Sequence, residues 1–156
     1  QLSFATGEDN IASGYASFAE GTGNIASNVG SHAEGAETTS SEYGSHAEGD
    51  STTASGYASH AEGSYCDATG PSSHAEGNTT IASGSSSHAE GNTTRAIGNY
   101  SHSEGNVTTA SGTSSHAEGT STTASGSWTR SSRRRWSSGP TTRRTRSWWA
   151  TPATAR

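Results

Sequence analysis

The 156-residue sequence predicts an all-β protein, a parallel β-solenoid wound from 14-residue coils with two short strands per coil. Three observations predict it. A pentad of the form Ser-x-Ala-x-Gly occurs nine times, each copy 14 residues after the last. An Ala-x-Gly half-unit falls seven residues after each pentad. The positions expected to face inward carry only small side chains.

The pentads run in strict register. They begin with Ser3-Phe4-Ala5-Thr6-Gly7 and Ser17-Phe18-Ala19-Glu20-Gly21. Ser31-His32-Ala33-Glu34-Gly35 follows, with copies from Ser45, Ser59, Ser73, Ser87, Ser101 and Ser115. The half-units include Ile11-Ala12-Ser13-Gly14, Thr53-Ala54-Ser55-Gly56 and Thr109-Ala110-Ser111-Gly112. Ala-x-Gly therefore recurs every seven residues from Ala5 to Gly126, with four substitutions: Ser40 and Ser103 for Ala, Asn28 and Glu42 for Gly. Ser is nearly isosteric with Ala. Asn shares the tolerance of Gly for positive φ, so Asn28 fits a turn, and Glu42 fits less well.

Seven residues are too few for two helical turns and a connection, and a Gly every seventh residue opposes helix. A strand of four or five residues with a Gly-led turn fits that length. Two such strands close one coil, and coils stack by parallel hydrogen bonding ~4.8 Å apart. Nine coils then make a rod roughly 40 Å long. Alternation along a strand places Ala33, Ser31 and Gly35 inside and His32 and Glu34 outside. In the second half of a coil it places Thr52 and Ala54 inside and Thr53 and Ser55 outside. A core of Ala, Ser, Thr and Gly fills only a thin coil, and its hydroxyls must bond to backbone or to one another.

Composition alone reads as disorder. Leu, Ile, Val and Phe together number nine, far below the ~20% that marks a foldable chain. The strict register overrides that reading. Charge divides the chain. Residues 1–126 hold all 14 acidic residues and one basic residue, Arg95, for a net of −13; residues 127–156 hold eight Arg and no acid, a net of +8. One cysteine, Cys66, excludes an intrachain disulfide and a thiolate metal cage; it takes an inward Thr position and reads as a small buried residue. No run approaches ~18 apolar residues, so no membrane span is expected in this segment. Gln1-Leu2-Ser3-Phe4 begins in mid-repeat, and the natural chain is expected to start earlier.

The outward columns are the candidate sites. His32, His46, His60, His74, His88, His102 and His116 form one column. Glu20, Glu34, Glu48, Glu62, Glu76, Glu90, Glu104 and Glu118 form the next. Imidazole and carboxylate together are good ligands for divalent metals. The plainer reading is a stacked imidazole ladder hydrogen-bonded to neighbouring Glu. Ligands on a flat ladder are parallel and do not converge, so neither a metal nor another cofactor is assigned. Protonation of the column near ~6.5 is expected to relieve Glu–Glu repulsion and to change solubility or association. Ser31 and His32 point to opposite faces, so a nucleophile–base pair is not expected and the chain reads as non-enzymatic. An outward Thr array of the ice-binding type is interrupted by Asp67, Ile81 and Arg95. A calcium-binding nonapeptide fails on period and on a total of three Asp. Tyr15, Tyr43 and Tyr57 share a turn position, with Tyr100 one residue later. They read as a stack on the turns, or as a sticky rim. Ile11, Ile25 and Ile81 fall in one outward column, mostly Thr elsewhere, suited to packing on another chain.

The Ser-x-Ala-x-Gly signature on a 14-residue double repeat resembles the head repeats of YadA-like trimeric autotransporter adhesins. The resemblance covers residues 1–126. It implies a left-handed parallel β-roll, a homotrimer, and display outside the outer membrane of a Gram-negative cell. The function it implies is attachment to extracellular matrix or glycan. Similar arrays in phage tails and other surface proteins leave a tail-fibre or structural segment as the alternative. Family heads are richer in inward Val and Ile than this chain. No neck motif, heptad stalk or C-terminal barrel pattern occurs in these 156 residues, so secretion and anchoring are expected from other segments.

After Gly126 the pentad does not return. Residues 127–156 hold all four Trp and eight of nine Arg. This tail is expected to be poorly ordered, and its composition is consistent with a frameshift. Arg with Trp also suits nucleic acid, the one exception to an expectation of no nucleic-acid partner.

Overall fold

The computed structural model describes residues 2–126 and the backbone of residues 130–132. Among the described residues every regular element is a strand. Long strands recur every 14 residues from β1 (Phe4–Glu8) through β5 (His32–Ala36) to β17 (His116–Glu118). Two-residue strands lie between them, from β2 (Ile11–Ala12) to β18 (Thr123–Ala124). The long strands form one parallel sheet and the short strands another. The molecule is thus a β-solenoid of about nine turns, as the period predicts. With no helix among the described residues, none is long and apolar enough to cross a membrane.

Each residue pairs with its counterpart one coil away, as His32↔His46 and Ile11↔Ile25 show. The hydrogen-bond ladder does not stop at strand ends. His46 N–H donates to Ser59 O at 2.9 Å, and in the turn Glu37 N–H donates to Thr22 O at 2.9 Å. Turns therefore stack with the same repeat as strands, which leaves few backbone groups unpaired in a chain with so little apolar area.

The interior is as thin as its side chains. Ala33, Ala47, Ala61 and Ala75 of the long strands and Ala54, Ala68 and Ala82 of the short strands are all fully buried. Ser40 and Ser103, the two Ala replacements, are buried in the same columns. A third column holds Asn24, Thr38, Thr52, Cys66, Thr80, Thr94, Thr108 and Thr122, all buried. The pentad Ser closes the preceding turn: Ser87 Oγ donates to Gly84 O at 2.7 Å and Ser115 Oγ to Gly112 O at 2.6 Å. These bonds supply what buried hydroxyls require in those coils, whereas the Oγ atoms of Ser73 and Ser101 are buried without a partner.

One expectation about glycine is corrected. Gly35 does not share the inward side of Ala33; it is exposed. Its φ of +107° ends the alternation, and a Cβ there would collide with the carbonyl oxygen of Gly49. Asn28 opens a turn, as expected, but without a positive φ. In its coil and the next, the positive φ falls two residues later, at Gly30 (φ +64°) and Gly44 (φ +61°), where other coils carry Ala58 or Ser72. The buried Gly56 is needed for a different reason, because a Cβ there would meet the carbonyl of Gly70.

The backbone repeat outlasts the sequence repeat. β19 (Arg130–Ser132) pairs with β17 as His116↔Arg130 and Glu118↔Ser132, one 14-residue step on. The expectation of a poorly ordered tail otherwise concerns residues outside those described.

Candidate functional site: an outward histidine–glutamate ladder

A strand that buries Ala must turn the residues on either side of it outward. That alternation places His and Glu of each pentad on one face, and in-register pairing stacks each above its copy. Rings of neighbouring histidines lie parallel, with centroids 4.5 Å apart for His32–His46 and 4.8 Å for His60–His74. The planes of successive pairs from His32 to His116 differ by 2–8°. The column continues to the first coils as aromatics: Phe4 stacks on Phe18 at 5.1 Å, and Phe18 meets His32 edge-on at 5.0 Å.

The two columns interlock between coils. Each imidazole from His46 to His116 reaches the glutamate of the preceding coil. Nε2 of His116 lies 2.9 Å from Glu104, and that of His102 lies 3.6 Å from Glu90. His46, His60, His74 and His88 reach Glu34, Glu48, Glu62 and Glu76 within the same range. His32 instead lies 3.9 Å from Glu34 of its own coil. Side chains in both columns are about one-third exposed. Glu20 and Glu118 stand at the ends of the Glu column. The expected ladder of stacked rings and His–Glu bonds is therefore present.

Within this regular ladder the bonding alternates. His60, His88 and His116 hydrogen-bond to Glu48, Glu76 and Glu104. The Nε2 atoms of His32, His46, His74 and His102 are buried without a hydrogen-bond partner. Burial, chiefly, pushes His46, His74 and His102 below the ordinary histidine value of 6.5, and charge on the rings above and below pushes the same way. Facing carboxylates oppose the shift. Glu48 is held below the ordinary carboxylate value, first by hydrogen bonding with Glu34 and further by Glu62 and His60, against the effect of burial.

The imidazoles are parallel, as anticipated, but the glutamates do bring ligand atoms together. One nitrogen or oxygen each from His32, Glu34 and His46 lie within 4.8 Å of one another, and so do those of His88, Glu90 and His102. Beside the ladder runs an open groove of about 550 Å³ along Thr6, Glu20, Glu34 and Glu48, floored by the exposed glycines. Ser31 is buried and its Oγ donates to Asn28 O at 2.8 Å, on the side opposite His32.

Other outward features also fall where the register puts them. Tyr43 stacks on Tyr57 at 5.4 Å, and Tyr15, Tyr57 and Tyr100 are exposed. Ile11 and Ile25 are exposed in their column. Cys66 is fully buried, and its thiol donates to Ser64 O at 3.4 Å. Sequence reasoning missed Asn24. Its Nδ2 donates to Glu20 O at 2.6 Å and Gly35 O at 2.8 Å, and its Oδ1 accepts from Thr38 N–H at 2.8 Å. An Asn in a column filled mostly by Thr was the available signal. No protein-family model matches this sequence, and no curated protein matches it at a significant level.

Proposed function

We propose that this chain is a non-enzymatic segment of a surface adhesin head, displayed outside the cell and working as a homotrimer. The observation that carries the reading is how the side chains are divided. Every inward position is used in packing, while the outward positions form parallel rows of repeated groups. Such rows suit many weak, equivalent contacts with a repetitive ligand better than one strong contact in a pocket. The exposed tyrosines of the turns supply amphipathic contact area for matrix protein or glycan. The Ile and Thr column of the short strands supplies the weakly apolar stripe through which three copies pack.

Sedimentation of the full chain tests the assembly, with a species of three times the 15.8 kDa chain mass expected. Retention of chain-coated beads on collagen, laminin and glycan surfaces tests adhesion. Replacing Tyr43 and Tyr57 together by Ser is expected to reduce retention severalfold. A monomer at all concentrations, with no retention on any surface, rejects the proposal.

A further inference from the structure

We propose that His32, Glu34 and His46 form a binding site for a divalent transition-metal ion of the zinc class. The site is the tightest of a series that the ladder repeats. Three observations meet there. Ligand atoms of all three side chains lie within 4.8 Å of one another. Both imidazoles present a buried Nε2 without a well-formed hydrogen bond, that of His46 lying 3.5 Å from Glu34, whereas His60, His88 and His116 spend theirs on a glutamate. Glu34 is flanked by an imidazole on each side, with its oxygens 3.5 Å from His46 Nε2 and 3.9 Å from His32 Nε2.

These separations match the coordination chemistry. Zinc bonds to nitrogen and carboxylate oxygen at about 2.0–2.2 Å, so two ligands at a tetrahedral angle stand ~3.4 Å apart. Glu34 and His46 already span that distance. The His32 and His46 rings are the closest histidine pair, at 4.5 Å, and a tilt of each toward Glu34 brings the third nitrogen into reach. Water completes the shell at the exposed face. Two imidazoles and one carboxylate select zinc, nickel or copper over magnesium and calcium, which prefer all-oxygen shells. The same unit at His88, Glu90 and His102 is weaker, because His88 is already bonded to Glu76.

Substitutions that keep an aromatic column are available from the chain itself, since Phe4 and Phe18 occupy the histidine column of the first coils, with Phe18 edge-on to His32. The test is calorimetric titration of the chelator-treated full chain with zinc chloride, with cobalt absorbance to report coordination. One ion per chain is expected in the tightest step, with no comparable heat from magnesium or calcium. His46→Phe is expected to weaken that step at least tenfold while leaving the metal-free melting temperature above pH 6.5 close to that of the parent chain. His116→Phe is expected to leave the step intact. Glu34→Gln serves as the second variant if His46→Phe does not fold. The proposal is overturned if zinc gives no step tighter than millimolar, if His46→Phe and His116→Phe weaken binding equally, or if zinc is taken up only with precipitation.

Discussion

Thr80 and Thr52 occupy equivalent places in the coil and differ in one bond. Thr52 Oγ1 donates to Glu48 O at 3.2 Å, whereas Thr80 Oγ1 is buried without a partner. A buried unpaired hydroxyl costs about 1–3 kcal/mol, and a formed hydrogen bond contributes about 1 kcal/mol. Thr80→Val is therefore expected to stabilise by ~1 kcal/mol and Thr52→Val to destabilise by a similar amount. Urea unfolding of the two variants checks the opposite signs. Glycine offers a second contrast. Gly35→Ala meets both a positive φ and the Gly49 carbonyl, whereas a Cβ at Gly30 meets nothing within 4 Å. Gly35→Ala is expected to destabilise by more than about 2 kcal/mol, against ~1 kcal/mol for Gly30→Ala. Equal melting temperatures for these two variants contradict the assigned geometry.

At the scale of the strand, the histidine ladder couples stability to pH. His46, His74 and His102 have folded-state values below their unfolded value of 6.5. The unfolded chain therefore binds protons first as pH falls. Their contribution to stability is complete above pH 6.5, declines as pH drops through the lowered folded values, and then levels off. Melting temperatures in a chelating buffer are expected to fall across that window. The triple replacement of these histidines by Phe is expected to flatten the profile. Period, strand faces and the stacked ladder were all legible in the sequence, because residues 14 apart share one environment and Ala, Ser and Thr mark the inside. The outward turn of Gly35 was not legible, since a positive φ breaks the alternation from which sides are read. Nor was the alternate bonding of the histidines. Identical residues at identical spacing differ there only in side-chain placement.

For the whole molecule, the coils communicate through their neighbours alone, and charge accumulates along the stack. Seven histidines line a segment of net −13, and the full chain has an isoelectric point near 5.7. Protonation of His46, His74 and His102, whose values lie below 6.5, carries the chain toward neutrality, where repulsion between copies is least. Light scattering is expected to rise as pH falls below 6.5 through the lowered histidine values; a flat trace across that titration counts against a titratable stripe. The core of Ala, Ser and Thr has a thermal consequence too. Heat capacity rises on unfolding because apolar surface meets water, by about 12–15 cal/mol/K per residue in ordinary domains. Here melting exposes methyl groups, hydroxyls and backbone. Calorimetry is expected to give a per-residue increment clearly below that range. The stability curve is then shallow, and the fold changes little in strength between cold and warm surroundings.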